Sequence, residues 1–88
     1  MIQIELTIKN SRGLHTRSAA KLVDLAKHFS SNIELIFQDR AVDCKSIMGL
    51  ITLGAQKNNI VKLVVDGEDE AVASEAITKL IQSKFGEE

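Results

Sequence analysis

The chain has 88 residues, a net charge of −1 and 44% hydrophobic residues, which predicts one domain, residues 1–88, with one small core. The near-neutral charge gives no reason to expect nucleic-acid or membrane binding, and three Phe are the only aromatic residues, which argues against base stacking. No signal peptide and no bilayer-spanning apolar run is evident, and the single cysteine cannot form an internal disulfide. We therefore expect a cytoplasmic protein, and we also expect a monomer.

Hydrophobic periodicity predicts the elements along the chain. In chain order they are a strand at 2–8, a helix at 16–29, strands at 33–37 and 41–44 around a turn at 38–40, a short helix after Ser46, a strand at 61–65 and a last helix capped by Asp69. Cys44 alternates with an inward valine, so it is expected in the core rather than as a nucleophile.

The element order β-α-β-β-α-β-α predicts an α+β fold. We expect an open-faced two-layer sandwich, in which three helices cover one face of a four-stranded antiparallel sheet. The pattern alone leaves the strand order open, because a ferredoxin-like arrangement gives nearly the same string of elements.

The segment between the first strand and the first helix carries a candidate reactive group. Gly13 permits a sharp turn, which places His15 at a helix N-terminus, where unpaired N–H groups and the helix dipole favour negative charge. Arg17 adds a permanent cation two residues further on. Because a neutral imidazole is a nucleophile, this arrangement predicts a transient phosphohistidine on His15.

The short helix after Ser46 has apolar side chains almost all the way round. One surface helix cannot bury them all, so some should form an exposed docking patch unless the loop at 54–59 covers them. Met48 suits such a patch, since methionine adapts to different partners. Ser46 itself is expected to cap the helix.

Three stretches resemble the HPr family, the histidine-containing phosphocarriers of the bacterial phosphoenolpyruvate-dependent phosphotransferase system. Residues 13–19, GLHTRSA, resemble the family's active-site motif; residues 44–50, CKSIMGL, resemble its regulatory-serine segment, which residues 52–55 continue. The resemblance implies the strand order 1-4-2-3. It also implies His15 as the phosphoryl acceptor, through Nδ1, and Arg17 as the residue that stabilises the phosphate.

The resemblance further implies a carrier rather than an enzyme with its own small-molecule substrate. Such a carrier takes the phosphoryl group from phospho-enzyme I and passes it to an EIIA-type protein, without a cofactor or metal. Ser46 is implied as a site for an HPr kinase/phosphorylase. The partner-binding face implied by the family comprises Thr16, Arg17, Ala20, Lys21, Asp24, Lys27, Ile47, Met48, Ile51 and Gln56.

Two alternatives stay open: an NPr-type carrier of the nitrogen-linked regulatory branch, and a regulatory binding module of the same fold without phosphoryl chemistry. An independent enzyme is disfavoured because the sequence shows no acid or base partner for His15. His15, His28 and Cys44 lack metal-ligand spacing. Thr16 and Ser18 replace the family's common Ala and Pro, from which we expect a less rigid helix start.

Overall fold

The computed structural model describes residues 1–87. In chain order its elements are β1 (Ile2–Thr7), α1 (Thr16–Ala26), β2 (Asn32–Phe37), β3 (Arg40–Asp43), α2 (Ile47–Leu53), β4 (Ile60–Asp66), α3 (Glu70–Gln82) and a 3₁₀ turn (Lys84–Gly86). The strands form an antiparallel sheet in the order β1-β4-β2-β3. The predicted fold class and strand order are confirmed.

The sheet has one buried and one exposed face because its residues alternate along each strand. On β4, Val61, Leu63 and Val65 are buried as predicted, whereas Lys62 is exposed. The helices cover the buried face: α3 packs on β1 and β4, and α2 packs on β3 and α1. This packing brings the N-terminus of α1 and the exposed side of α2 to neighbouring positions.

The end of α1 differs from the prediction. The helix ends at Ala26 rather than at residue 29. The backbone N–H groups of His28 and Phe29 bond three residues back, at 3.1 Å each, which tightens the last turn and diverts the chain. The Nζ of Lys45 then donates to the carbonyl oxygen of Phe29 at 2.8 Å, so this carbonyl needs no helical partner.

The hairpin between β2 and β3 is also tighter than predicted. Its turn contains two residues, Gln38 and Asp39, which both have left-handed backbones with φ of 51° and 66°. Two-residue turns of this kind match the twist of paired strands, so pairing resumes at once. Arg40 therefore pairs with Phe37 and begins β3, instead of belonging to the turn.

Asp69 does not cap α3 with its side chain, contrary to the prediction. Its carboxylate instead accepts hydrogen bonds from the Ser31 hydroxyl and from the backbone N–H groups of Ser30, at 2.9 Å, and Ser31, at 3.0 Å. The bond from the Ser31 hydroxyl, followed by that from Ser30, holds the pKa of Asp69 below its usual range. Asp69 thus joins the start of α3 to the loop between α1 and β2.

Cys44 lies in the core, as predicted. Burial, assisted by the carboxylates of Asp43 and Glu34, raises the pKa of its thiol to about 12. Since the thiolate is the reactive form of cysteine, this thiol is unsuited to nucleophilic chemistry at neutral pH.

Candidate functional site

The loop before His15 is fixed against the segment that follows α2. Gly13 has a left-handed backbone, with φ of 63°, and a Cβ at this position would lie 2.6 Å from the carbonyl oxygen of Ala55. The backbone N–H of Leu14 donates to that same oxygen at 3.0 Å. Only glycine fits this close approach. The loop that carries His15 is therefore held beside the end of α2.

His15 is the N-cap of α1, in the position expected from the sequence. Its backbone is extended, and Thr16 is the first helical residue. The His15 side chain is 17% exposed, so the imidazole is accessible but mostly surrounded by protein. The backbone N–H groups of the first helical turn have no partner within the helix, so this position favours an anion.

Ser18 ties this helix start together. Its side chain is buried, and its hydroxyl accepts a hydrogen bond from the backbone N–H of His15 at 2.9 Å. The same hydroxyl donates to the carbonyl oxygen of Gly13 at 2.9 Å. Together with His15 it forms a capping box. These bonds join the start of the helix to the preceding turn at the position where the family commonly has proline. The expectation of a less rigid helix start stays a prediction.

The structure brings a carboxylate to His15, contrary to the expectation that the histidine has no acidic partner. The Oε2 of Glu87 lies 2.6 Å from the Nε2 of His15, although the two residues are 72 positions apart. The Nδ2 of Asn10 donates to the other oxygen of the carboxylate, Oε1, at 2.9 Å and to the carbonyl oxygen of Gly13 at 2.8 Å. The amide of Asn10 thus links Glu87 to the loop that carries the histidine.

A bend after α3 delivers Glu87 to this position. Lys84, Phe85 and Gly86 have consecutive left-handed backbones, with φ of 61°, 55° and 70°. The Phe85 side chain is fully buried, and the Nζ of Lys21 donates to the Phe85 carbonyl oxygen at 2.7 Å. We call residues 84–87 the hook. Two residues of the sequence could have indicated the hook. Phe85 is a large apolar side chain beyond the end of α3, and Gly86 permits a left-handed turn.

The surroundings of Glu87 favour its ionised form. Partial burial opposes ionisation, but hydrogen bonds from Asn10 and His15, together with the positive charge of Lys21, hold the pKa of the Glu87 carboxyl below its usual range. This carboxylate is only 11% exposed, so solvent screens its contact with His15 weakly.

Arg17 lies in the first turn of α1 with an exposed side chain. Among the ion pairs formed within residues 1–87, none uses its guanidinium. A planar guanidinium in this position can donate two parallel hydrogen bonds to phosphate oxygens. The site therefore combines a nucleophilic imidazole, a helix N-terminus and an available cation.

The exposed side of α2 carries the expected apolar residues. Met48 is 67% exposed and Ile47 is 40% exposed, so the loop at 54–59 does not cover them. Ile51 is half-buried beside them. Ser46 caps this helix, because its Oγ accepts a hydrogen bond from the backbone N–H of Gly49 at 3.1 Å.

The other residues expected on the docking face occupy different surroundings. Lys21 is half-buried, and its ammonium group holds the hook. Asp24 and Lys27 are exposed and form an ion pair at 3.4 Å, which contributes little to stability at such exposure. The remaining residues follow the surface around His15, with Thr16 and Gln56 exposed and Ala20 half-buried.

Within residues 1–87, no group of three or more histidine, cysteine or acidic residues is arranged to hold a metal ion. None of the helices in the same part of the chain is long and apolar enough to cross a membrane.

The sheet order and a histidine at the N-terminus of α1, with an arginine in the first turn, define a small histidine phosphocarrier fold. Residues 2–83 match the family model described as the PTS HPr component phosphorylation site. The chain therefore belongs to the HPr family, the phosphocarriers of the phosphotransferase system.

Individual relatives are similar in sequence to this chain over almost its full length. The chain is 41% identical to phosphocarrier protein HPr of Xylella fastidiosa, covering 100% of this chain and 99% of that protein. It is 45% identical to phosphocarrier protein HPr of Cupriavidus necator, with 99% and 98% covered. Among solved structures, HPr-C-His from Thermoanaerobacter tengcongensis superimposes with a TM-score of 0.95 at 46% identity, with 100% and 99% covered. An HPr dimer from that organism superimposes with a TM-score of 0.79. For this chain, the expectation of a monomer stays a prediction.

Proposed function

We propose that this phosphocarrier accepts a phosphoryl group on Nδ1 of His15 from phospho-enzyme I and passes it to an EIIA-type protein in the cytoplasm. The observation that carries the proposal is the position of His15 as the N-cap of α1, with the Arg17 guanidinium available in the first turn. Glu87 occupies Nε2, so Nδ1 is the ring nitrogen left to react.

The transfer is a substitution at phosphorus. The lone pair of Nδ1 forms the new N–P bond while the bond between phosphorus and the donor breaks, and the donor keeps that electron pair. The N–H groups at the start of α1 and the Arg17 guanidinium then bind the phosphoryl oxygens. Each charge-assisted hydrogen bond contributes about 1.5–3 kcal/mol, and the helix dipole about 0.3–1 kcal/mol. These contributions hold the group without trapping it, as a carrier requires.

We propose the exposed side chains of Ile47 and Met48, with the half-buried Ile51 beside them, as the apolar centre of the partner-binding face. The patch lies on α2, which packs against α1, so a partner seated on it also reaches His15. The proposed face is completed by the surrounding residues Thr16, Ala20, Lys21, Asp24, Lys27 and Gln56. An exposed apolar patch of this kind on a small domain is typical of a docking site.

We propose Ser46 as a regulatory phosphorylation site for an HPr kinase/phosphorylase. Ser46 is half-buried at the start of α2, next to the exposed Ile47. A phosphate there would add roughly two negative charges beside the apolar patch. Partner binding would weaken, while the phosphate itself would remain compatible with the helix N-terminus.

Phosphorylation by phosphoenolpyruvate and enzyme I tests the carrier proposal. The native protein should gain one acid-labile phosphoryl group by intact mass, His15→Ala should gain none, and His28→Ala, which removes an exposed histidine, should behave as native. Arg17→Ala should slow transfer, whereas Arg12→Ala, at an exposed arginine in the same region, should not. An adduct on His15→Ala would refute the acceptor assignment.

Acceptor choice separates the remaining alternatives. Phosphorylated protein should transfer its group to a sugar-branch EIIA protein faster than to a nitrogen-branch one. The reverse preference would assign the chain to the nitrogen branch. Absence of any phosphoryl adduct on the native protein would instead leave the regulatory binding module.

A further inference from the structure

We propose that Glu87 is a positioning residue for phosphoryl transfer, which holds the proton of His15 on Nε2 and balances the positive charge that the ring gains when Nδ1 is phosphorylated. This inference rests on the proposed function and deepens it. It starts from the 2.6 Å contact between the Oε2 of Glu87 and the Nε2 of His15.

The first role of Glu87 follows from hydrogen-bond chemistry. An ionised carboxylate can only accept hydrogen bonds, so the ring nitrogen that faces it must carry the proton. In a neutral imidazole only one nitrogen is protonated, and the partner of that nitrogen selects the tautomer. Glu87 therefore leaves the lone pair on Nδ1. The capping box that His15 forms with Ser18 places the histidine at the anion-binding end of α1.

The second role follows from the charge balance of the transfer. When neutral His15 attacks through Nδ1, the ring keeps its Nε2 proton and becomes a phosphorylated imidazolium. No proton has to leave, because the Glu87 carboxylate beside Nε2 neutralises the new positive charge. When the phosphoryl group departs to the next acceptor, the electron pair of the N–P bond returns to Nδ1. The ring is again neutral, with its proton still on Nε2.

Three contacts fix the carboxylate in the required place. Asn10 uses both amide protons to join the Oε1 of Glu87 to the Gly13 carbonyl. Buried Phe85 anchors the hook, and Lys21 holds the Phe85 carbonyl oxygen. The same surroundings keep the pKa of Glu87 below its usual range, so the carboxylate is charged at neutral pH. A preorganised charge of this kind stabilises a transition state more effectively than water, which must reorient.

The variant Glu87→Gln tests the inference, because a glutamine amide keeps the shape but can donate as well as accept. Glu68→Gln, at an exposed glutamate, is the matched control. Nitrogen-15 NMR of the imidazole should show mainly the Nε2–H tautomer in the native protein and the control. The Glu87→Gln protein should show a mixture of both tautomers. Circular dichroism and thermal unfolding should show that all three proteins fold.

Single-turnover transfer from phospho-enzyme I supplies the second readout. The Glu87→Gln rate at saturating donor should fall about tenfold, as expected for the loss of one charge-assisted hydrogen bond, with the KM for enzyme I within about twofold of native. Glu87→Ala should show at least the same loss. Native tautomers or a native rate in both variants would overturn the inference. A native protein that takes no phosphoryl group at all would instead refute the proposed function. The NMR measurement of the tautomers needs no phosphoryl transfer, so it tests the role of Glu87 separately.

Discussion

Replacement of Ser18 by alanine should destabilise the protein, because it removes the hydrogen bonds of one buried hydroxyl. In the native protein this oxygen accepts from the His15 N–H and donates to the Gly13 carbonyl oxygen, both at 2.9 Å. Ser18→Ala removes both bonds. The side chain is fully buried, so water cannot readily replace the lost partner.

The expected cost follows from the groups left without a partner. A buried polar group that loses its hydrogen bond costs about 1–3 kcal/mol, and loss of a capping interaction costs about 0.5–2 kcal/mol. These ranges describe the same bonds and are not summed, so we expect a loss of about 2 kcal/mol in the free energy of unfolding. For a domain of this size, that corresponds to a fall of about 8–16 °C in Tm.

Urea unfolding followed by circular dichroism measures this cost, and Ser83→Ala is the matched control. The Ser83 hydroxyl makes an exposed bond to the carbonyl oxygen of Leu80 at 2.9 Å, so its loss should cost less than about 0.5 kcal/mol. Equal stability of Ser18→Ala and Ser83→Ala would show that the Ser18 hydroxyl does not fasten the start of α1.

Three other perturbations have defined outcomes. Gly13→Ala should cost more than about 2 kcal/mol in urea unfolding, since it adds a collision with Ala55 to a left-handed backbone. Gly54→Ala, which is also left-handed but would make only an ordinary contact with the Thr52 carbonyl oxygen at 3.9 Å, should cost about 1 kcal/mol. Equal costs would contradict the collision. The Cys44 thiol, with a pKa of about 12, should resist a thiol reagent at pH 8. The free energy of unfolding should fall between about pH 9 and 12, because the thiol ionises at lower pH in the unfolded chain than in the folded one. Ser46→Asp should weaken enzyme I binding in calorimetry more than Ser46→Ala; equal effects would leave Ser46 as a cap only.

Local patterns predicted most of the fold because they report which faces are buried. The alternation that buries Val61, Leu63 and Val65 is visible in the sequence, and so is the serine that caps α2. The end of α1 and the start of β3 were misplaced, because both depend on turn geometry that follows from a few backbone angles. The strand order came from family resemblance, since periodicity alone fits two topologies.

The part of the candidate site that lies in one local sequence motif was predicted, and the part that depends on a long-range contact was not. His15 and Arg17 lie within one local motif, and the structure places both at the start of α1. Glu87 was missed because its contact with His15 spans 72 positions. It also requires Phe85 to adopt a left-handed backbone, which no periodic pattern indicates and which burial of the aromatic ring stabilises.

The position of the phosphoryl group on the His15 ring is the most direct test of the account. Protein labelled with nitrogen-15 in histidine and phosphorylated through enzyme I should show phosphorus coupling to Nδ1 of His15, with Nε2 still protonated. The imidazole of His28 should be unchanged. Coupling to Nε2 of His15, the nitrogen that Glu87 occupies in the structure, would contradict the account.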